Sequence, residues 1–229
     1  MNPTLRPRVK VCCINSWTEA HLAIELGASA LGLVGDMPSG PGVIPDDLIT
    51  EIADMVPPPI ATFLLTSERS ADGIIAHHRR VRTSTIQLVD ALAEGTYEQL
   101  HDELPGIKLV QVVHVNGSES LYDALLAAPH VDALLLDSGR PDLAVKELGG
   151  TGRTHDWRVS RQIREAVNVP VFLAGGLRVD NVRDAIAEVE PFGLDMCTGV
   201  RTDGRLDRAK LAAFMAAVRE SWLPDVEYP

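Results

Sequence analysis

No apolar run in this sequence approaches the roughly 20 residues needed to span a bilayer; the stretch 133–136 is typical of their length. Residues 1–8 lack the apolar stretch of a signal peptide, so a cytoplasmic protein is expected. Basic residues are outnumbered, with 21 Lys and Arg against 32 Asp and Glu and a formal net charge of −11. An acidic chain with a pI near 5.0 is a poor general binder of nucleic acid or of anionic membranes. Cysteines are few: Cys12 and Cys13 are neighbours and Cys197 is far away. Three such residues make neither a disulfide framework nor a metal-ligand spacing, which again points to a reducing compartment. Aromatic residues reach only 4%, and no linker, low-complexity stretch or charge block divides the chain. The expected partner is therefore a small molecule, with no nucleic acid and no membrane, acting on a monomer or homodimer.

What is present is a regular alternation. Hydrophobic residues make up 45% of the chain, an ordinary globular fraction that excludes a disordered or collagen-like chain. Short apolar runs, several nearly continuous as in strands buried on both faces, are predicted as strands at 8–14, 30–34, 60–65, 85–88, 108–113, 133–137, 170–174 and 193–197. Amphipathic stretches between them predict helices at 18–26, 46–55, 71–80, 96–104, 118–127, 157–166, 180–189 and 207–219, with 45–47 and 180–181 as helix-starting segments. Eight units in 229 residues average about 29 residues each, the size of one βα unit of an eight-stranded barrel. A doubly wound open sheet would usually carry a glycine-rich fingerprint after its first strand, whereas this chain reads Cys12-Cys13-Ile14-Asn15-Ser16. The predicted architecture is a single-domain α/β protein, a (β/α)8 TIM barrel over residues 1–220 with a C-terminal tail at 221–229.

Barrels of this type place their chemistry at the C-terminal ends of the strands. That rule selects Cys12, Cys13 and Asn15 after the first strand, the loop 35–43 after the second, Asp90 after the fourth and His114 after the fifth. It also selects Asp137, Gly175-Gly176 and Thr198-Gly199 after the last three. Glycines between a strand and a helix let backbone amides approach an oxyanion, and a helix N-terminus favours negative charge. Two consecutive small-residue loops predict a phosphate cradle built from Gly175, Gly176, Thr198 and Gly199. Read alone, each loop is equally a tight turn.

Asp137 ends the apolar run Leu134-Leu135-Leu136, where desolvation would raise its pKa and suit it to donate a proton. It would serve equally as a helix cap or as a partner for Arg140 or Arg153. Strand alternation puts Lys10 and Cys12 on one face and Val9, Val11 and Cys13 on the other, which suits the helices. Cys12 then faces the barrel interior as a base or nucleophile, although unpaired cysteines are often simply buried. The glycine-rich stretch 146–157 predicts a mobile cover for substrate, with Gly150 and Gly152 among its residues and Arg153 available to an anion. Trp157 is expected to anchor the following helix by packing.

Several of these segments, in one register, resemble the phosphoribosylanthranilate isomerase family. They are Lys10-Val11-Cys12, Leu135-Leu136-Asp137-Ser138, the run from Gly149-Gly150-Thr151-Gly152-Arg153 to Trp157, Leu173-Ala174-Gly175-Gly176-Leu177 with Asn181-Val182, and the run from Gly193 to Val200. The resemblance covers about 10–219 and implies an Amadori rearrangement of phosphoribosylanthranilate in tryptophan biosynthesis. It implies Cys12 as general base and Asp137 as general acid, the phosphate on Gly175, Gly176, Thr198 and Gly199, and no metal or redox cofactor.

The chain also departs from the family pattern. Cys13 replaces the glycine usual after the cysteine, and Ser39-Gly40-Pro41 lacks the arginine that meets the anthranilate carboxylate. Gln87-Leu88-Val89-Asp90-Ala91 replaces a His-Gly pair, and His114 stands where a smaller residue is common. Loss of a charge-assisted partner costs ~1.5–3 kcal/mol, roughly 10–150-fold in binding, unless Arg140 or Arg153 compensates. Two other readings stay open: a phosphate-binding barrel that has lost the chemistry or takes another phosphosugar, and a carbon–carbon lyase. The lyase needs a Schiff-base lysine at a strand end, and Lys10 lies early in its strand.

Overall fold

In the computed structural model, which describes residues 7–38, 40–139 and 154–221, eight parallel strands close into one barrel in sequence order. They are β1 (Arg8–Val11), β2 (Ala30–Val34), β3 (Ala61–Thr66), β4 (Thr85–Leu88), β5 (Lys108–His114), β6 (Ala133–Asp137), β7 (Val171–Leu173) and β8 (Gly193–Met196). Eight helices alternate with them: α1 (Trp17–Glu25), α2 (Asp46–Met55), α3 (Ala71–Val81), α4 (Tyr97–Glu103), α5 (Ser120–Ala127), α6 (Trp157–Ala166), α7 (Val182–Val189) and α8 (Arg208–Glu220). The (β/α)8 barrel expected from the alternation is the fold. Of the expected tail only Ser221 is described. Among the described residues no helix is long and apolar enough to cross a membrane.

Closure rests on β1 pairing in parallel with β8, with Lys10 opposite Asp195 and Val11 opposite Met196. Period-2 alternation then sorts the strand residues into two cores. Val9, Val11, Leu31, Leu33, Leu134, Leu136 and Leu194 face the helices. Cys12, Ala30, Val34, Phe63, Leu65, Val110, Val112, Leu135 and Phe172 fill the interior. Trp157 packs against the helix-side core, as expected of an anchor at the start of α6.

Two local expectations are corrected. The first strand stops at Val11 rather than at residue 14, because Cys13 takes a left-handed backbone with φ of 61°. That turn breaks the alternation, so Cys13 joins Cys12 on the interior side instead of facing the helices. The second concerns Asn181, read as the start of α7. It makes no side-chain cap; its Oδ1 accepts from the Arg178 amide at 2.7 Å and its Nδ2 donates to the Gly176 carbonyl at 3.0 Å. Asn181 thus braces the loop after β7. Because α7 begins only at Val182, the helix dipole falls off before Gly175 and Gly176, and the loop's own amides must do any anion binding there.

Candidate active site

The strand ends position the predicted residues around one cavity. Cys12, Asp137, Gly175, Gly176, Thr198 and Gly199 all line it, together with Gln87, Asp195 and Cys197. Its outer wall is apolar, from Val34, Met37, Leu65 and Val89. The substrate-cover residues Gly150, Gly152 and Arg153 lie outside the described residues, as does Arg140.

The two glycine loops meet in the cavity lining at the strand ends. Gly175 and Gly176 have φ of 81° and 61°, a left-handed backbone that residues with a Cβ adopt only at a cost. After β8, a single 3-10 turn spans Thr198–Val200. A Cβ at Gly199 would collide with the carbonyl oxygen of Leu177, so glycine at 199 is what lets the two loops touch. The result is a concave backbone surface at the expected place, reached without a helix N-terminus.

Asp137 is buried, and its Oδ1 accepts from the Ser138 amide at 2.7 Å. Burial raises its pKa above the ordinary aspartate value; the Ser138 amide and the charges of His114 and Lys10 pull it back only in part. His114 stands opposite Asp137 in the β5–β6 register and donates from Nε2 to the Val89 carbonyl at 3.0 Å. Asp90 lies outside this cavity's lining; it caps the Ala91 amide at 2.8 Å and sits 3.4 Å from Arg69. Asn15 lines a second opening, beside Cys13, Pro41, Gly42 and Arg201.

A buried ion pair reaches the cavity wall through Asp195. Lys10 is 0% exposed, and its Nζ is 2.9 Å from Asp195 Oδ1 and 5.3 Å from the centroid of the Phe63 ring. Burial opposes the charge on Lys10, but Asp195 and the Cys12 and Cys13 thiols outweigh it and hold the pKa above the usual lysine value. Burial raises the pKa of Asp195 in turn, with Lys10 drawing it back toward the charged form. A Cβ built on Gly32 would stand 2.7 Å from Cys12 Sγ and 3.1 Å from Lys10 Nζ. The thiol and the ammonium are therefore within about 5.8 Å of each other, across a space that glycine leaves open.

A second buried pair holds the backbone of Cys12. Arg201 binds Glu19 with both ends of its guanidinium, Nη1 to Oε1 and Nη2 to Oε2, each at 3.0 Å. The same Nη2 donates to the carbonyls of Cys12, at 3.2 Å, and Cys13. Sequence reasoning missed Asp195, Glu19 and Arg201. The alternation of 193, 195 and 197 would have placed Asp195 inside the barrel opposite Lys10, whereas no local signal marks the Glu19–Arg201 pair.

Comparison with known proteins agrees with this geometry. The family model described as PRAI, N-(5'phosphoribosyl)anthranilate (PRA) isomerase, matches residues 9–217. The N-(5'-phosphoribosyl)anthranilate isomerase of Haloferax volcanii is 36% identical over 214 residues, covering 93% of each chain. That of Halobacterium salinarum is 36% identical over 222 residues, covering 95% of this chain and 97% of the relative. Among solved structures, phosphoribosyl anthranilate isomerase from Thermotoga maritima superposes with a TM-score of 0.78 at 26% identity, covering 93% of this chain and 99% of that one. A phosphoribosyl anthranilate isomerase in complex with reduced 1-(o-carboxyphenylamino)-1-deoxyribulose 5-phosphate superposes at 0.75 and 25% identity, covering the same shares. With a match over nearly its whole length, the chain belongs to the phosphoribosylanthranilate isomerase family.

Proposed function

We propose that this protein is a phosphoribosylanthranilate isomerase of tryptophan biosynthesis, with Asp137 as general acid and Cys12 as general base. The observation that carries the proposal is the convergence of Cys12, Asp137 and both glycine loops on one cavity in a member of this family. The substrate's phosphate would rest on the backbone of Gly175, Gly176, Thr198 and Gly199. Asp137, with its raised pKa, gives its proton to the furanose ring oxygen as the C1–O bond breaks and the nitrogen lone pair forms the imine. Cys12 takes the proton from C2, and the electrons of that C–H bond neutralise the iminium to give the enolamine. Tautomerisation then moves a proton from the C2 hydroxyl to C1 and yields the ketone. A thiolate is the form that accepts a proton, and Lys10 is the buried cation against which it sits.

The apolar wall of Val34, Met37, Leu65 and Val89 suits an aromatic ring. Among the described residues, those that line the cavity include no Lys, Arg or His to meet the ring's carboxylate. That observation supports a second reading, a substrate of the same phosphoribosylamine class whose aglycone lacks the carboxylate. Both readings are separated by steady-state kinetics on phosphoribosylanthranilate and on its aniline analogue. The first predicts turnover of the anthranilate with at least tenfold higher kcat/KM. The second predicts parity or a preference for aniline. No turnover of either would overturn the isomerase assignment.

A further inference from the structure

The mechanism uses one of three cysteines, and the other two face each other. Cys13 and Cys197 Sγ atoms stand 2.7 Å apart, a contact that joins the end of β1 to the end of β8. Both thiols are free. Val11 lies opposite Met196 and the Cys12 amide donates to the Met196 carbonyl at 2.8 Å, so the register alone would set Cys12 beside Cys197; the left-handed turn at Cys13 is what brings the Cys13 thiol there instead. The Sγ–Sγ contact of 2.7 Å is within a small side-chain adjustment of the ~2.05 Å of a disulfide bond. The left-handed turn at Cys13 swings its side chain from the helix side to the barrel mouth, where Cys197 waits. Cys12, adjacent in sequence, also lies within hydrogen-bond reach of Cys13 but sits beside Lys10, so it is the third thiol of the group and not a member of the 2.7 Å pair.

We propose that Cys13 and Cys197 form an oxidation site, a dithiol that closes to a disulfide under two-electron oxidants of the peroxide class while Cys12 remains a free thiol. Cys197 is the attacking sulfur. It is half-buried, and hydrogen bonding to Cys13 and the nearby Arg201 guanidinium lower its pKa despite its burial. Cys13 is the resolving sulfur; its pKa is raised by hydrogen bonding to both other thiols and by burial. Cys197 lines the active-site cavity, which gives a small oxidant access to it.

In the first step Cys197 thiolate bonds to one peroxide oxygen, the O–O bond breaks, and hydroxide leaves to become water on protonation. In the second, Cys13 sulfur bonds to the Cys197 sulfenic sulfur, the S–O bond breaks, and the departing hydroxide takes the Cys13 proton as a second water. Two thiols lose two electrons in total and one peroxide gains them.

The test treats the intact protein with a small excess of hydrogen peroxide. Differential alkylation and peptide mapping with fragmentation then locate the sulfurs, with no need for turnover. Alkylatable thiols are expected to fall from three to one, with Cys12 the one left, and a thiol reductant restores all three. With each variant checked for the native circular dichroism spectrum, Cys197→Ser is expected to keep both remaining thiols through the same treatment, and Cys13→Gly to form no disulfide but to stop at a Cys197 sulfenic acid that dimedone traps. A bond that includes Cys12, or three thiols surviving in the wild type, would overturn the proposal.

Discussion

Lys10 Nζ lies 2.9 Å from Asp195 Oδ1, a cation and a carboxylate paired inside the barrel with almost no solvent on either. Neither charge is affordable alone at that depth. Lys10→Met, which strands Asp195, should cost about 3–5 kcal/mol of stability in urea denaturation. Lys10→Met combined with Asp195→Leu should cost less than either single substitution. Additive losses would show that the two residues are not energetically coupled.

Gly199 is where the two loops of the phosphate cradle touch, through a space that a methyl group would take from the Leu177 carbonyl. Gly199→Ala must push the loops apart. KM for a phosphorylated substrate should rise tenfold or more, roughly 1.4 kcal/mol, with a smaller effect on kcat. An unchanged KM would remove these loops from phosphate binding.

His155 supplies an acid-sensitive point at the start of α6. Its Nε2 is 2.6 Å from the fully buried Ser160 Oγ, and burial lowers its pKa from 6.5 to about 4. The unfolded chain therefore binds a proton that the folded chain refuses between pH 6.5 and about 4. The contribution is whole above pH 6.5 and is lost as pH falls toward 4, on the order of 3 kcal/mol in all. Denaturation at pH 7 and pH 5 should show a larger acid-induced loss in the wild type than in His155→Gln. Parallel losses would contradict this account.

Cys13 predicts an inverted residue preference. At an ordinary position alanine is more stable than glycine, but at φ of 61° the Cβ is a liability worth ~1 kcal/mol. Cys13→Gly should be more stable than Cys13→Ala by about that amount in thermal or urea unfolding. The usual order, alanine above glycine, would mean that the left-handed turn is not fixed by the fold.

That same residue marks the limit of what local pattern can show. Eight βα units were legible because strands buried on both faces read as short apolar runs, and the strand-end rule singled out Cys12 and Asp137. Inward-pointing Lys10 was legible from alternation alone. Alternation along 193, 195 and 197 also points Asp195 inward, but that it meets Lys10 follows only from β1 closing against β8, a pairing across 185 residues. Cys13 defeated the alternation because a left-handed turn at a non-glycine residue has no signature in sequence, and the strand ended three residues early. The Glu19–Arg201 clamp had no local signal at all, since it joins α1 to the hairpin of Arg201–Thr202 and Arg205–Leu206.

The roles of Cys12 and Asp137 are tested most directly by the kinetics of Cys12→Ala and Asp137→Ala on phosphoribosylanthranilate. Each variant should lower kcat by about 10²–10⁴-fold with KM changed far less, because each removes a proton transfer and leaves the phosphate loops in place. Wild-type kcat in either variant would contradict the assignment of that residue.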